Sequence, residues 1–195
     1  MTHSPAVLHP LLAARRSSRA FDSDRAVPDA TLVAVLEAAR WAPSANNSQP
    51  WRFGLVRRGE PAFAAVAATL APGNQVWARS AAAFVLLAVE TADEAGNARR
   101  WAVYDAGQAA AHLTVQAQAE GLMVHQMGGF DPDAAREVFA LPERMTPLVV
   151  VALGFHDPEV ELPEPFASRE LAPRVRAPLE DILLTPASDA LPLSA

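Results

Sequence analysis

Two short stretches decide how this sequence is interpreted: Arg15-Arg16-Ser17-Ser18-Arg19 and Pro43-Ser44-Ala45-Asn46-Asn47-Ser48-Gln49-Pro50-Trp51. The first is a basic cluster with hydroxyl groups, and a guanidinium binds phosphate through two parallel hydrogen bonds. The second is a polar, turn-forming run between Trp41 and Trp51, and its amide side chains both donate and accept hydrogen bonds. A planar polar ligand with an anionic tail would need both kinds of chemistry.

Each stretch also has an ordinary interpretation. Three arginines within five residues are typical of a solvated helix end, where basic side chains favour the negative end of the helix dipole. Ser, Asn and Pro are the usual residues of turns, so residues 43–51 are also compatible with a plain loop. Within that run, Asn46, Asn47 and Gln49 offer amide donors and acceptors that suit the edge of a uracil-like ring.

The composition is that of a globular protein, and it narrows the classes of chemistry. Of the 195 residues, 51% are apolar and 19% are charged, which is enough for a substantial core. The net charge of −6 argues against a nucleic-acid partner. Without cysteine or lysine, the chain has no thiolate nucleophile, no Schiff-base lysine and no Walker-A phosphate loop. His112 and His125 show no metal-ligand spacing, so we expect no metal site.

The sequence shows no secretory leader and no membrane span. The first residues lack a basic stretch followed by an apolar core, and no run of about 18 apolar residues occurs. We therefore expect a cytoplasmic protein without a membrane partner.

Apolar periodicity predicts an α+β fold in a single domain over residues 1–195. Pro72-Gly73-Asn74 is typical of a turn, Gly121 of a helix C-cap, and Asp131-Pro132 of a helix start. The predicted strands form a mostly antiparallel sheet flanked by helices. The strands are expected at 51–56, 82–89, 123–127 and 146–153, and the helices at 6–15, 29–41, 62–70, 97–121 and 131–140.

Residues 156–195 differ from the rest of the chain and are expected to form a C-terminal arm. They are rich in proline and acidic residues, so the arm is either disordered or lies across another surface. Its apolar side chains favour docking on a partner subunit; they are Leu162, Phe166, Leu171, Leu179, Ile182 and Leu183.

The two stretches resemble the FMN-dependent nitroreductase family. Residues 15–21 are similar to its opening Arg-Arg-Ser-x-Arg-x-Phe, and residues 42–53 to its Ala-Pro-Ser-x-x-Asn-x-Gln-Pro-Trp-x-Phe. Several shorter blocks follow in the family's order over roughly residues 11–183. They are Gly73-Asn74-Gln75-x-Trp77, Asp105-x-Gly107-x-Ala109, Gly128-Gly129-Phe130-Asp131 and Arg174-x-Arg176-x-Pro178-Leu179.

The resemblance implies FMN as the cofactor, NAD(P)H as the reductant and a homodimer whose C-terminal segments extend onto the partner. It assigns the phosphate and ribityl end of FMN to Arg15, Arg16 and Ser17, with Arg174 and Arg176 completing the clamp. It places Arg19 near the N1 edge of the flavin, where a positive charge tunes the cofactor. The other implied FMN contacts are Pro43, Ser44, Ala45, Asn47 and Gln49, the first four from the partner, and then Asn74, Met127, Gly128 and Gly129.

The implied activity is reduction of nitroaromatics, quinones or similar small electron-poor molecules by ping-pong hydride transfer. The Gly128 backbone N–H would point at flavin N5, and no side-chain acid is obligatory. His125 is compatible with a substrate contact or with a satisfied core histidine. Three alternatives stay open. They are other flavin chemistry on the same fold (enone reduction, dehalogenation or dehydrogenation), a non-catalytic FMN-binding protein, and a structural homodimer without a cofactor.

Overall fold

A four-stranded antiparallel sheet organises the chain in the computed structural model, which describes residues 7–184. Each strand starts and ends within one residue of its expected bounds, and the α+β fold is confirmed. The spatial order is β1-β2-β4-β3, and all three neighbouring pairs are antiparallel. The strands are β1 (Trp51–Arg57), β2 (Ala83–Glu90), β3 (Met123–Met127) and β4 (Met145–Gly154).

The helices cover both faces of this sheet, and proline starts several of them. Pro occupies the first turn of α1, α3, α4 and α6, where its missing N–H has no intrahelical acceptor to lose. The helices are α1 (Pro10–Ala14), α2 (Asp29–Arg40), α3 (Pro61–Thr69), α4 (Pro72–Ala78), α5 (Ala102–Ala119), α6 (Pro132–Val138), α7 (Phe166–Leu171) and α8 (Leu179–Ile182).

Strand β2 is buried along its whole length because core lies on both of its faces. Val85, Leu87 and Val89 face a cluster that contains the buried sides of α2 and α5. Phe84 and Leu86 face a second cluster, to which α3, α4 and α6 contribute. This alternation explains why the central strand appears in the sequence as an unbroken apolar run.

Two local predictions near the N-terminal ends of helices are wrong. Pro72-Gly73-Asn74 does not form a turn; Pro72 instead begins α4, and the Asn74 N–H donates to Ala71 O at 2.8 Å. Proline and glycine are common both in turns and at helix starts, so composition alone does not separate the two. Helix α1 covers only Pro10–Ala14 of the expected 6–15, because Pro10 is tolerated only in the first turn.

The long alanine-rich helix α5 is shorter than expected, because it begins at Ala102 rather than near residue 97. The Asp93 carboxylate accepts hydrogen bonds from the Ala95 N–H at 3.0 Å and from the Asn97 N–H at 2.8 Å. These local bonds hold a turn in place of the first helical turns. The C-terminal end follows the prediction: Gly121 has φ +75°, and the Leu122 N–H donates to Ala117 O at 2.8 Å.

Directly after β4, the chain pairs with the segment around Phe21, near the start of the described residues. Phe21 forms an antiparallel bridge with His156, directly after β4, and the Asp157 N–H donates to Ala20 O at 3.1 Å. The start of the arm therefore lies beside the Arg15–Arg19 stretch. Leu162 and Phe166 of the arm pack against the second core cluster of the same chain. The last part of the predicted arm, residues 185–195, lies outside the described residues.

Between residues 7 and 184, every helix is too short or too polar to traverse a lipid bilayer.

Candidate functional site

A basic groove of about 250 Å³ lies where the two ends of the chain meet. Five of its lining side chains are arginines, and only one is acidic. The structure thus gathers every arginine that the sequence assigned to a phosphate clamp, although two of them lie about 160 positions from the others. The lining residues are Arg15, Arg16, Ser17, Arg169, Glu170, Ala172, Pro173, Arg174 and Arg176.

The groove concentrates positive charge, and among residues 7–184 none of its arginines forms an ion pair. Burial, followed by the charges of Arg174 and Arg176, lowers the pKa of the Arg15 guanidinium. The only hydrogen bond of that guanidinium within residues 7–184 is a donation to Ser17 Oγ at 3.3 Å. Cations held this close repel one another unless an anion lies between them. The arrangement therefore favours a small, multiply charged anion such as a phosphate group.

Backbone carbonyls hold two of the other guanidinium groups in place. Arg174 donates to Arg15 O and to Ala13 O, both at 2.6 Å. Arg16 donates to Glu170 O at 2.6 Å and to Ala172 O at 3.3 Å. Each end of the chain thus supplies donors to the backbone of the other.

Arg19 lies next to the groove, between two aromatic rings. Its Cζ is 5.8 Å from the ring centroid of Trp77 and 5.9 Å from that of Phe166. These cation–π contacts fix the guanidinium without neutralising its charge. Burial lowers the pKa of Arg19, the Glu170 carboxylate opposes that shift, and Arg169 adds to it.

His125 is a buried, hydrogen-bonded histidine beneath this region. Its Nδ1 lies 3.1 Å from Ser18 O, and its ring centroid is 4.4 Å from that of Trp77. Burial lowers its pKa below the usual value of 6.5, and the charge of Arg19 lowers it further. Of the two interpretations open at the sequence level, these contacts favour the core histidine.

The lowered pKa of His125 predicts that acid destabilises the fold. Below about pH 6.5 His125 binds a proton more readily in the unfolded chain than in the folded chain. The free energy of unfolding should therefore fall as the pH drops, by up to about 1.4 kcal/mol per pH unit. Urea unfolding at several pH values measures this slope, which should be shallower for His125→Gln. Identical slopes for the two chains would contradict the assignment.

The glycine pair after β3 borders an open surface. Gly128 is exposed, and a Cβ built on it would meet nothing within 4 Å. A Cβ on Gly129 would lie 3.2 Å from Asn74 Nδ2 and 3.3 Å from Ala71 Cβ, and Asn74 Nδ2 donates to Gly129 O at 3.0 Å. The structure thus places the Asn74 amide beside Gly129. The Met127 side chain is buried in the second core cluster, so only its backbone is available to a ligand.

The Pro43–Trp51 loop has a strained backbone and lies against α5. Asn46, Asn47 and Gln49 all have positive φ, of 52°, 56° and 45°, a conformation that is uncommon for glutamine. Asp105 Oδ2, buried at the start of α5, accepts a hydrogen bond from the Ala45 N–H at 3.1 Å. Such clusters of strained residues occur at ligand sites and switch regions.

The hydrogen bonds of this loop do not connect it to the arginine groove of its own chain. Within the described range, Ser44 Oγ accepts from the Gln49 N–H at 3.0 Å, and Gln49 Nε2 donates to Asn47 O at 3.2 Å. Pro43, Asn46 and Asn47 are exposed, as are large aromatic side chains near the loop or at the start of α5. These aromatics are Trp41, Trp101 and Tyr104, with exposed fractions of 72%, 52% and 67%.

A larger cavity of about 510 Å³ lies where β1 begins and β2 ends, but its charges are balanced. Arg52 Nη2 is 3.1 Å from Glu90 Oε1, and Arg99 Nη2 is 3.6 Å from Glu90 Oε2. Its lining holds three arginines and three acidic residues, so it offers no net attraction for an anion. The groove between the chain ends is therefore the better candidate site.

Comparison with known proteins identifies the family of this chain. The family model for the nitroreductase family matches residues 12–155, which include the Arg15–Arg19 stretch, the whole sheet and the Gly128-Gly129 pair. The chain belongs to the nitroreductase family. The resemblance recognised in the sequence is thereby confirmed.

Three similar proteins illustrate how this nitroreductase-family chain relates to others. An oxidoreductase containing FMN is 33% identical, with 93% of each chain covered and a TM-score of 0.87. A structure from Desulfovibrio desulfuricans, described as a nitroreductase in complex with FMN, is 26% identical; it covers 92% of this chain and 98% of its own, with a TM-score of 0.72. A protein from Archaeoglobus fulgidus, named as an NADH dehydrogenase/NAD(P)H nitroreductase, is 29% identical over 77% of this chain and 86% of its own length.

Proposed function

We propose that this chain is an FMN-dependent NAD(P)H oxidoreductase that reduces nitroaromatics, quinones or similar electron-poor molecules as a homodimer. The observation that carries the proposal is the basic groove and its continuity with the open glycine pair. Arg19 follows the groove and contacts Trp77 in α4, and Asn74 of the same helix bonds to Gly129. This path of contacts joins an anion site to an open surface, as FMN requires.

The residues fit FMN by their chemistry. Arg15 has few partners of its own, and Arg174 and Arg176 lie close enough to lower its pKa, so the three suit a phosphate group. Gly128 leaves space above its backbone for a flat ring, and its N–H would face that ring. When bound, FMN supplies the chemistry that accepts and donates hydride.

The chain's own residues would then orient the ring and set its charge environment. Asn74 presents an amide beside Gly129 for the pyrimidine edge. Arg19, held between Trp77 and Phe166, keeps a positive charge near the N1 edge. NAD(P)H and the electron acceptor would occupy the same open surface in turn, which makes a ping-pong order the expected kinetics.

Surfaces that a single chain leaves exposed support a homodimer. Among residues 7–184, the hydrogen bonds of the Pro43–Trp51 loop run within the loop, to Asp105 of α5 and to neighbouring strand residues, and none reaches its own groove. We therefore assign Pro43, Ser44, Ala45 and Asn47 to the partner's flavin. The exposed aromatic side chains beside this loop and on α5 supply apolar surface for association. The exposed Leu171, Leu179 and Leu183 of the arm are assigned to the partner as well. A cytoplasmic location remains a prediction.

Anaerobic reduction and reoxidation of the purified full-length protein test the proposal. NADH or NADPH should bleach the bound flavin, and a quinone or nitroaromatic added afterwards should restore its colour. Bleaching without reoxidation by either acceptor, but with reoxidation by an enone or a halogenated compound, would indicate the other flavin chemistries. A flavin that neither nucleotide bleaches would indicate a non-catalytic FMN-binding protein.

Arg19→Ala should slow reduction of the flavin by about tenfold or more and leave dimer formation intact. The change removes the positive charge expected near N1 while the groove and the loop keep their contacts. Stopped-flow absorbance measures the first effect, and light scattering after gel filtration measures the second. Arg19→Lys, which keeps the charge, should recover part of the rate. An equal loss of reduction and of dimerisation would count against a role at the ring edge.

A further inference from the structure

The groove contains one acidic side chain, Glu170, and its carboxylate is fully engaged with the other end of the chain. Oε1 accepts a hydrogen bond from Ser18 Oγ at 2.6 Å, and Oε2 accepts one from the Arg19 N–H at 2.8 Å. The side chain is only 14% exposed although it belongs to an arm that is mostly exposed. A largely buried carboxylate beside a candidate anion site needs an explanation, because its charge opposes anion binding.

We propose that Glu170 is a positioning residue that assembles the phosphate groove from the two ends of the chain. The inference rests on the proposed function, since the phosphate belongs to FMN. The carboxylate holds the Ser18 hydroxyl and the Arg19 N–H, and these residues directly follow Arg15, Arg16 and Ser17. The carbonyl of the same Glu170 accepts from Arg16. Glu170 therefore holds in position both the Ser18-Arg19 segment and the Arg16 guanidinium.

The other contacts between residues 13–16 and residues 169–176 explain why a single carboxylate can affect the whole groove. Arg174 lies four positions after Glu170 and reaches back to Arg15 O and Ala13 O. Docking of the arm thus brings Arg169, Arg174 and Arg176 close to Arg15 and Arg16, and these cations repel one another. The carboxylate offsets part of that repulsion, and its two charge-assisted hydrogen bonds hold the segments in register.

A positioning role and a purely electrostatic role predict opposite changes in FMN affinity for Glu170→Gln. If Glu170 acts only through its charge, Glu170→Gln removes a negative group near the phosphate and should tighten FMN binding. If Glu170 positions the groove, the substitution loses one acceptor and weakens the other, so FMN binding should weaken. Riboflavin, which lacks the phosphate, should bind almost equally to both proteins.

The experiment titrates FMN and riboflavin into the full-length apoprotein and follows flavin fluorescence. For Glu170→Gln we expect about tenfold weaker FMN binding and less than about twofold change for riboflavin. The matched control is Glu161→Gln, which removes the same charge from an exposed position of the same arm and should leave both affinities unchanged. Hydrogen exchange of the apoprotein should show a faster-exchanging Arg19 amide in Glu170→Gln, a readout that needs no flavin.

Several outcomes would overturn the inference, and they differ from failure of the proposed function. Equal or tighter FMN binding by Glu170→Gln would show that the carboxylate does not position the groove. A similar loss for FMN and riboflavin would assign Glu170 to general stability instead. A wild-type chain that binds neither flavin would contradict the proposed function, and the inference with it. Unchanged Arg19 exchange would contradict the role of the carboxylate in holding the Arg19 N–H, whatever the flavin result.

Discussion

Arg15→Ala should weaken FMN binding by about tenfold to hundredfold and leave riboflavin binding nearly unchanged. The Arg15 guanidinium lines the groove and has few protein partners: among residues 7–184 it donates only to Ser17 Oγ. A hydrogen bond to a charged group contributes about 1.5–3 kcal/mol, and about 1.4 kcal/mol corresponds to a factor of ten in affinity. The fold should survive, because the arm is held by the carbonyl of Arg15 rather than by its side chain.

Equilibrium titration of the apoprotein with the two flavins measures this effect. Arg57→Ala is the matched control, since Arg57 forms surface ion pairs with Asp29 and Glu60 away from the groove. Such exposed pairs contribute little, so the control should bind both flavins normally. If Arg15→Ala left the FMN affinity unchanged, the assignment of the FMN phosphate to this groove would be wrong.

Phe84→Ala should destabilise the protein by about 3–5 kcal/mol, the largest stability effect that we predict. Phe84 has no exposed surface, lies on the central strand β2 and stacks on Phe63 with ring centroids 4.3 Å apart. Removing the ring loses its burial and leaves a cavity between the sheet and α3. That loss is a large share of the 5–15 kcal/mol typical of a folded domain.

Urea unfolding of both proteins at one pH measures the difference. Phe84→Leu keeps most of the apolar volume and should cost clearly less than Phe84→Ala. If the two variants were equally stable, or if the alanine variant lost less than about 1 kcal/mol, the second core cluster would be packed differently from the structure described above.

The fold could be predicted well wherever one physical signal dominated. The continuous apolar run of β2 requires core on both faces, and few local structures other than a central strand satisfy it. Gly121 was identifiable as a helix end because its positive φ suits glycine. Pro72-Gly73-Asn74 and the start of α5 were mispredicted because the same residues serve turns and helix starts, and tertiary contacts decide between them.

The candidate site was likewise predictable only in part from the sequence. Most of the arginines that line the groove could be predicted as a group because their residue types match a ligand's chemistry and a family's order. The role of the Pro43–Trp51 loop stays a prediction. The sequence did not predict that Arg19 contacts Trp77 and Phe166, or that Ser18 donates to Glu170. The contacts of Phe166 and Glu170 form only when the arm folds back on the chain. A glutamate between arginines in a proline-rich segment is indistinguishable in sequence from a solvated surface residue.

The visible absorbance spectrum of the purified full-length protein, reconstituted with FMN and passed through a desalting column, tests the central claim most directly. A flavin held by the groove should co-elute with the protein in stoichiometric amount and lose its colour when NADH or NADPH is added without oxygen. A protein that leaves the column colourless would contradict a phosphate-anchored flavin at the junction of the two chain ends.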